Sequence, residues 1–358
     1  DSLKELTVEY TQRKNINFMN VRKDKVGAQT KARIWDIENF DASYSYSKIY
    51  HRNVDIQYDE EKNHLGSLGY NFNTNPKNVK PFEKIGFISR SKALQLIRDF
   101  NFFFMPKMFS FRTDMNRMYN ERQLRNKSFG DVITLPTYNK TWTWNRIYDL
   151  KFDLATSLTL RFTANASSHI NELPGRNSEI WDGRLYGVDT LYTPEQKKEQ
   201  VKNEILSGGT RTKYNQSLNI NYNIPINKLP FLDWITAQTG YQVAYNWTAS
   251  PVSIQDELGN TSANNRNWNI NGNVDLNKLY NQSKFLKNIN QPPRKNNTRA
   301  QRGRQQQEQQ PDDSTKTKPK VNYGKIVYET FFKILMSVKK VTIQYSTNQG
   351  TSIPGFVP

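Results

Sequence analysis

The chain has 358 residues, a net charge of +18 and no cysteine, and its three histidines (His51, His64, His169) are scattered. Disulfide frameworks, thiolate metal sites and cysteine nucleophiles are therefore excluded, and the histidine spacing fits no metal-ligand motif. A mean hydropathy of −0.84 and the lack of any apolar run of about 18 residues exclude transmembrane helices, but not membrane strands, which turn every second side chain toward water.

In chain order, Leu6 to Tyr10 already alternates apolar and polar residues, and a basic stretch, 22–37, follows as a loop. Alternation resumes from Phe40 to Tyr46. The acidic run Asp59-Glu60-Glu61 reads as part of a turn at Glu60–Asn63. A loop at 74–93, a turn at Met105–Lys107 and alternation from Phe109 to Met115 come next, then a loop at 121–139. Residues 140–153 alternate through Trp142, Trp144 and Tyr148, with Arg146 in phase with the aromatics. A turn at Asp153–Ser157 leads to 158–166, where Leu160 and Phe162 face away from Asn165.

The longest loop, 168–211, contains a helical stretch at 193–206 that opens on a Thr cap. The strand 213–224 sets Leu218, Ile220 and Tyr222 against Asn219 and Asn221. After a turn at Pro225–Pro230, the strand 233–248 places Tyr241, Val243 and Trp247 opposite Gln238 and Gln242. A loop at 249–266 precedes 266–276, with Trp268 and Ile270 on one face and Asn269, Asn271 and Asn273 on the other. Residues 278–290 and 323–340 look helical and flank a Gln-, Pro- and Lys-rich insert, 291–322, that lacks the apolar residues needed to fix its backbone. A last strand starts at Val341, and both ends of the chain read as cuts in a longer protein.

Ten or eleven strands of roughly 9 to 15 residues suit a bilayer crossing better than a sandwich, whose strands average about 5–6 residues. The expected fold is all-β: part of a very large antiparallel transmembrane β-barrel with long outer loops and a short helical periplasmic insert. Its organisation is 1–290 for barrel strands and loops, 291–322 for the periplasmic insert, and 323–358 for a periplasmic helix and a further strand. Leu160, Phe162, Ile220, Tyr241, Val243 and Ile270 are expected to face lipid, and Asn165, Asn219, Gln242 and Asn271 to face a water-filled lumen. Short turns alternating with longer loops place the turns in the periplasm. Trp142, Trp144, Trp247 and Trp268 then mark the outer ends of their strands and Trp234 an inner end, as two interfacial girdles.

No catalytic, cofactor or metal constellation emerges. Ser207-Gly208-Gly209-Thr210 lacks the Gly-Lys-Ser/Thr of a phosphate loop, and the basic stretches lack the interleaved aromatics of a nucleic-acid surface. An enzyme is not expected.

Four phrases, IRDFNFFFMPKMFSFRTDMNRMYNERQLRN (97–126), TWTWNRIYDLKFDLATSLTLRFTANA (141–166), YNIPINKLPFLDWITAQTGYQVAYNW (222–247) and LMSVKKVTIQYSTNQGTSIPGF (335–356), together resemble the SprA/Sov family. That family forms the outer-membrane translocon of the type IX secretion system in Bacteroidetes, a system also tied to gliding motility. The resemblance implies an internal part, toward the C-terminal half, of a very large single-chain barrel that exports folded cargo proteins to the cell surface. It further implies secreted cargo, a PorV-type barrel and a periplasmic plug protein as partners, beside outer-membrane lipid, and no nucleic acid. The alternative is a TonB-dependent uptake receptor, which carries a plug domain and a barrel of about 22 strands. An adhesive β-protein with fixed repeats has no support, since no repeat is present.

Overall fold

A computed structural model of the protein describes residues 7–24, 33–127, 134–176, 192–290 and 323–356. Ten strands form one sheet: β1 Tyr10–Arg22, β2 Phe40–Arg52, β3 Ile56–Asn73, β4 Met108–Leu124, β5 Thr137–Ala155, β6 Leu158–His169, β7 Thr210–Ile224, β8 Ile235–Thr248, β9 Asn260–Asp275 and β10 Lys340–Phe356. Their spatial order is their chain order and every neighbouring pair is antiparallel. The sheet is open: β1 and β10 each keep one unpaired edge among the described residues. The five strands expected between 140 and 276 pair consecutively as β5 to β9.

The connections divide between two rims. The connections after β2, β4, β6 and β8 leave and re-enter the sheet at the upper rim, and those after β1, β3, β5, β7 and β9 at the lower rim. This corrects the expected regular alternation. The loops at 22–37 and 74–93 share the lower rim with the two-residue turn after β5, and a three-residue turn lies on the upper rim. No turn interrupts Glu60–Asn63, which lies inside β3. Its charges are met across the sheet: Glu60 pairs with Lys48 on β2 at 2.8 Å and with Lys62, and Asn120 on β4 donates to Asp59 at 2.7 Å. The reversal falls instead at Asn53, whose side-chain oxygen accepts from the backbone N–H of Asp55 and Ile56 at 2.9 and 2.8 Å, an Asx turn.

Met105–Lys107 is not a separate short turn either, but the end of the single connection from β3 to β4. The stretch from 74 to 107 holds two short helices, Gly86–Arg90 and Gln95–Arg98, and one isolated bridge, Val79 to Phe102. Buried Asn101 ties it to the lower rim, accepting from the Thr156 backbone N–H at 2.9 Å and from Asn78 at 3.1 Å. Lys228, in the β7–β8 connection, adds an ion pair to Asp99 at 3.2 Å. Element boundaries also move, at β4 to β7 by a few residues and further elsewhere. Thr7 to Glu9 precede the first strand rather than belonging to it, β9 begins at Asn260 rather than 266, and β10 runs on through Ile353 to Phe356 beside Ser262 and Asn260.

Helix α1 (Pro194–Ser207) occupies the expected stretch, closed at its start by a Thr193–Gln196 capping box and at its end by Gly208 at φ 86°. At the lower rim, α2 (Leu276–Gln282), α3 (Lys284–Asn290) and α4 (Tyr323–Leu335) form the expected helical group. Phe285 of α3 packs on Tyr328 and Phe332 of α4, with ring centroids 5.6 and 5.5 Å apart. The insert 291–322 lies outside the described residues, as do the first six positions.

Among the described residues no second layer covers either face. Few side chains are buried, the largest fully buried ones among the described residues being Phe72, Tyr119 and Ile170. Phe18, Ile343 and Tyr345 remain more than half exposed. A two-sheet sandwich is therefore not the arrangement seen.

Candidate transport wall and its upper-rim clamp

Antiparallel pairing sets directly opposite residues on the same face, so the register sorts the side chains. Leu160, Ile220, Tyr241 and Trp268 fall in one row, and Phe162, Leu218 and Val243 in the next. Ile270 joins them through Thr239 and Tyr222. The six residues expected on the apolar side thus share one face. Asn219 and Gln242 lie in a row with Asn267 and Asn348, and Asn271 in a row with Asn223, Gln238 and Gln344, on the opposite face. Asn165, opposite Asn215, shares that face.

The polar face has two regions that the alternation alone did not reveal. Over β7 to β10 it is a carpet of neutral amides and hydroxyls. Over β4 to β6 it carries ion pairs, Arg112 with Asp114 at 3.0 Å and Arg161 with Asp149 at 2.8 Å. The signal was present in the sequence as the scarcity of charge from Asn215 to Asn273, but only pairing turns that into an area.

The apolar residues form a band that crosses the strands obliquely. Traced through the register, Phe18 of β1 reaches Arg211 on β7 by way of Tyr44, Gly66, Met115, Trp144 and Ser168. Ile343 of β10 reaches Ile224 on β7 by way of Gly272 and Ala237, thirteen positions further along that strand. Leu150 of β5 and Tyr241 of β8 reach Leu218 and Ile220, between those limits and in order. Nine strand-to-strand steps at about 4.8 Å, against thirteen residues at about 3.3 Å, give about 43 Å in each direction and a slope of about 45°.

The tryptophans bound this band less regularly than expected. Trp247 lies one residue from the upper end of β8, and Trp142 and Trp144 lie several residues inside β5, which continues above them. Trp268 is a correction. It stands in the middle of β9, edge-on to Tyr345 at 6.0 Å, because β9 begins eight residues earlier. Trp234 precedes β8 at the lower rim, its indole N–H donating to the Phe231 carbonyl at 2.6 Å. Arg146 keeps the phase of Trp144 and Tyr148 without a register shift. Its guanidinium lies 4.4 Å from the Trp144 ring centroid and donates to Ser168 Oγ at 2.7 Å and to the Gly208 carbonyl at 3.0 Å. The charge is carried up to the rim, as a long cationic side chain in an apolar surface requires.

Above the band, the same face is clamped by the β6–β7 connection. Glu121, almost fully buried, accepts from Tyr58 at 2.7 Å, Tyr119 at 2.8 Å and Arg176 at 2.6 Å. Arg117 donates to Glu172 and stacks over Trp142 at 5.0 Å. Lys140 donates to the Leu173 carbonyl at 2.9 Å, and Lys197 of α1 to the Arg176 carbonyl at 3.1 Å. Sequence reading missed this cluster because its members come from four separated segments. Among the described residues no group of His, Asp and Glu is arranged to hold a metal ion, and no helix is long and apolar enough to cross a membrane, which says nothing of strands.

These features define a class: a long-stranded antiparallel meander with one apolar face, one polar face and an oblique apolar band. No protein-family model matches the chain, and no curated protein matches it either.

Proposed function

We propose that this sheet is a stretch of wall in a wide outer-membrane β-barrel that conducts folded proteins to the cell surface, the function its resemblance to the SprA/Sov translocons implies. The observation that carries the reading is the oblique band. Barrel strands tilt by about 35–45° from the barrel axis, so a belt of lipid-facing residues level with the membrane must cut across the register at that angle. The slope of about 45° is what such a belt requires, and a soluble sheet has no reason to hold it over ten strands.

Two further points support it. The open edges of β1 and β10 are rows of backbone donors and acceptors that lipid cannot satisfy, so in a membrane they must be paired by further strands. The polar face carries mainly amides, hydroxyls and paired charges, with Leu65 and Ile147 as isolated exposed apolar side chains. In this reading the upper rim faces outward. Secreted cargo passes along the polar face, a PorV-type barrel and a periplasmic plug protein are the partners, and no catalytic step is assigned to the chain.

The test uses single cysteines in the parent protein, since this chain contributes none of its own. Cysteines replacing Ile220, Tyr241 and Ile270 should resist a charged, water-soluble maleimide in isolated outer membranes, whereas those replacing Asn219, Gln242 and Asn271 should react. A photo-crosslinker at the second set should capture secreted protein in transit. Equal labelling of the two sets ends the barrel reading. Capture of a small ligand in place of protein ends the translocon reading.

A further inference from the structure

The clamp of the β6–β7 connection onto the sheet leaves a cavity of about 380 Å³ between α1 and the upper parts of β4 and β5. We infer that this cavity is a binding site for the phosphate-bearing head of an outer-leaflet lipid, with the first part of its acyl region. The inference rests on the barrel reading, which sets this face toward lipid.

Three observations carry it. The first is the charge of the lining, which has five cations and one carboxylate, Glu172, whose Oε1 accepts from Arg117 while its Oε2 is buried without a hydrogen-bond partner among the described residues. Lys198 and Lys202 project from α1 with no ion-pair or hydrogen-bond partner among the described residues. Glu195 and Glu199 of the same helix are not part of the lining. Two rows at four-residue spacing, Lys197-Val201-Ile205 and Lys198-Lys202-Leu206, therefore bring ammonium groups and apolar side chains to one cavity, the mixed chemistry that an anionic amphiphile matches.

The second is an orphaned donor. The indole N–H of Trp142, in the cavity wall, is buried and has no acceptor among the described residues. A buried donor without a partner carries the full desolvation cost, and because this nitrogen exposes no surface to the cavity, a ligand oxygen meets it only when the wall side chains shift. The third is position. The cavity lies on the face of the apolar band and directly above it, with Trp142 in the row of Arg117 and two residues before Trp144. Lipid headgroups occupy that level, and clusters of basic residues there recognise anionic ones.

The experiment compares the full parent protein, purified in mild detergent, with a Lys198→Gln/Lys202→Gln variant and a Lys197→Gln/Lys198→Gln/Lys202→Gln variant. Glutamine keeps helix propensity, and the two exposed lysines of the double variant have no partner to lose among the described residues. Bound ligand is counted by native mass spectrometry during titration with lipid A, phosphatidylcholine or inorganic phosphate. A heat-dependent shift in electrophoretic mobility reports barrel formation separately. The expected result is tight lipid A retention by the unmodified protein, weakened on the order of a hundred-fold in the triple variant and less in the double one, with an unchanged mobility shift. Equal lipid A retention in all three proteins overturns the site. So does equal retention of phosphatidylcholine, and so does inorganic phosphate binding as tightly as lipid A. Loss of the mobility shift in the unmodified protein overturns the barrel reading instead, whatever the lipid arms show.

Discussion

Arg176 and Glu121 are 55 positions apart in sequence and 2.6 Å apart in space, joined across the upper rim with both side chains largely buried. The Glu121 carboxylate also accepts from Tyr58 and Tyr119, so one group on β4 fixes both the start of β3 and the loop after β6. Removing one partner of a buried pair costs about 3–5 kcal/mol because the other charge stays behind. Arg176→Met should therefore release the 170–209 connection without disturbing strand pairing. Limited trypsin digestion of the assembled protein should cut in that connection many times faster. An unchanged cleavage rate would show that the pair does not hold the loop.

The two faces of the sheet make opposite forecasts for the same substitution. Ile220 stands between Leu160 and Tyr241 on the apolar face, and Asn221 is its neighbour on the polar one. If the sheet is the proposed barrel wall, Ile220→Arg should cost about 2–4 kcal/mol near the bilayer midplane, whereas Asn221→Arg should be mild. Val243 is a less clean site, since its partner on β9 is Arg266. Assembly into the outer membrane, followed by heat-modifiable mobility, reads both variants, and equal losses would contradict the face assignment.

The lower rim carries a pH-dependent link. Burial raises the Asp99 carboxyl, but hydrogen bonds and attraction from Arg98 and Lys228 outweigh it and hold the group below its usual 3.8. A depressed carboxyl contributes stability that is present above its unfolded value and is lost as pH falls through the folded one. The tie between the 74–107 and 225–234 connections should thus persist at neutral pH and weaken only in acid. Hydrogen exchange of the amides near Asp99 should show this acid dependence in the native protein, and Lys228→Met should move its onset to higher pH. An onset left unmoved by that change would refute the link.

Gly259 should tolerate no side chain. Its backbone has φ 59° and ψ −171°, a region open essentially to glycine alone. A Cβ there would meet the backbone of Gly355 on β10 at 2.7 Å. Gly259→Ala should cost of order 1–3 kcal/mol for the strained backbone alone and unpair the upper end of β10 from β9. Faster exchange at Ile353 and Phe356 than in the unmodified protein is the expected readout. Unchanged protection there would mean that the close approach is not maintained.

The strands from β5 onward, their two faces and helix α1 were legible in the sequence, because alternation and a Thr-initiated capping box are local signals that need no partner. The first half was misread through parity. Reading Met105–Lys107 as a short turn of its own, where the chain holds one long connection with short helices and an isolated bridge, upsets the alternation of every connection upstream. Moving the reversal from Asn53 to Glu60 had the same origin: isolated charges suggested a turn, whereas lysines on neighbouring strand positions pair with Glu60 inside the sheet.

The sequence by itself determined that this is an antiparallel β protein with one apolar and one polar face, since the two-residue repeat of a strand is written residue by residue. Only the tertiary structure decided the slope of the apolar band, the division of the polar face into amide and ion-paired regions, and the Glu121 clamp. Each depends on register between strands and on contacts across many tens of residues, and neither is encoded in any single segment.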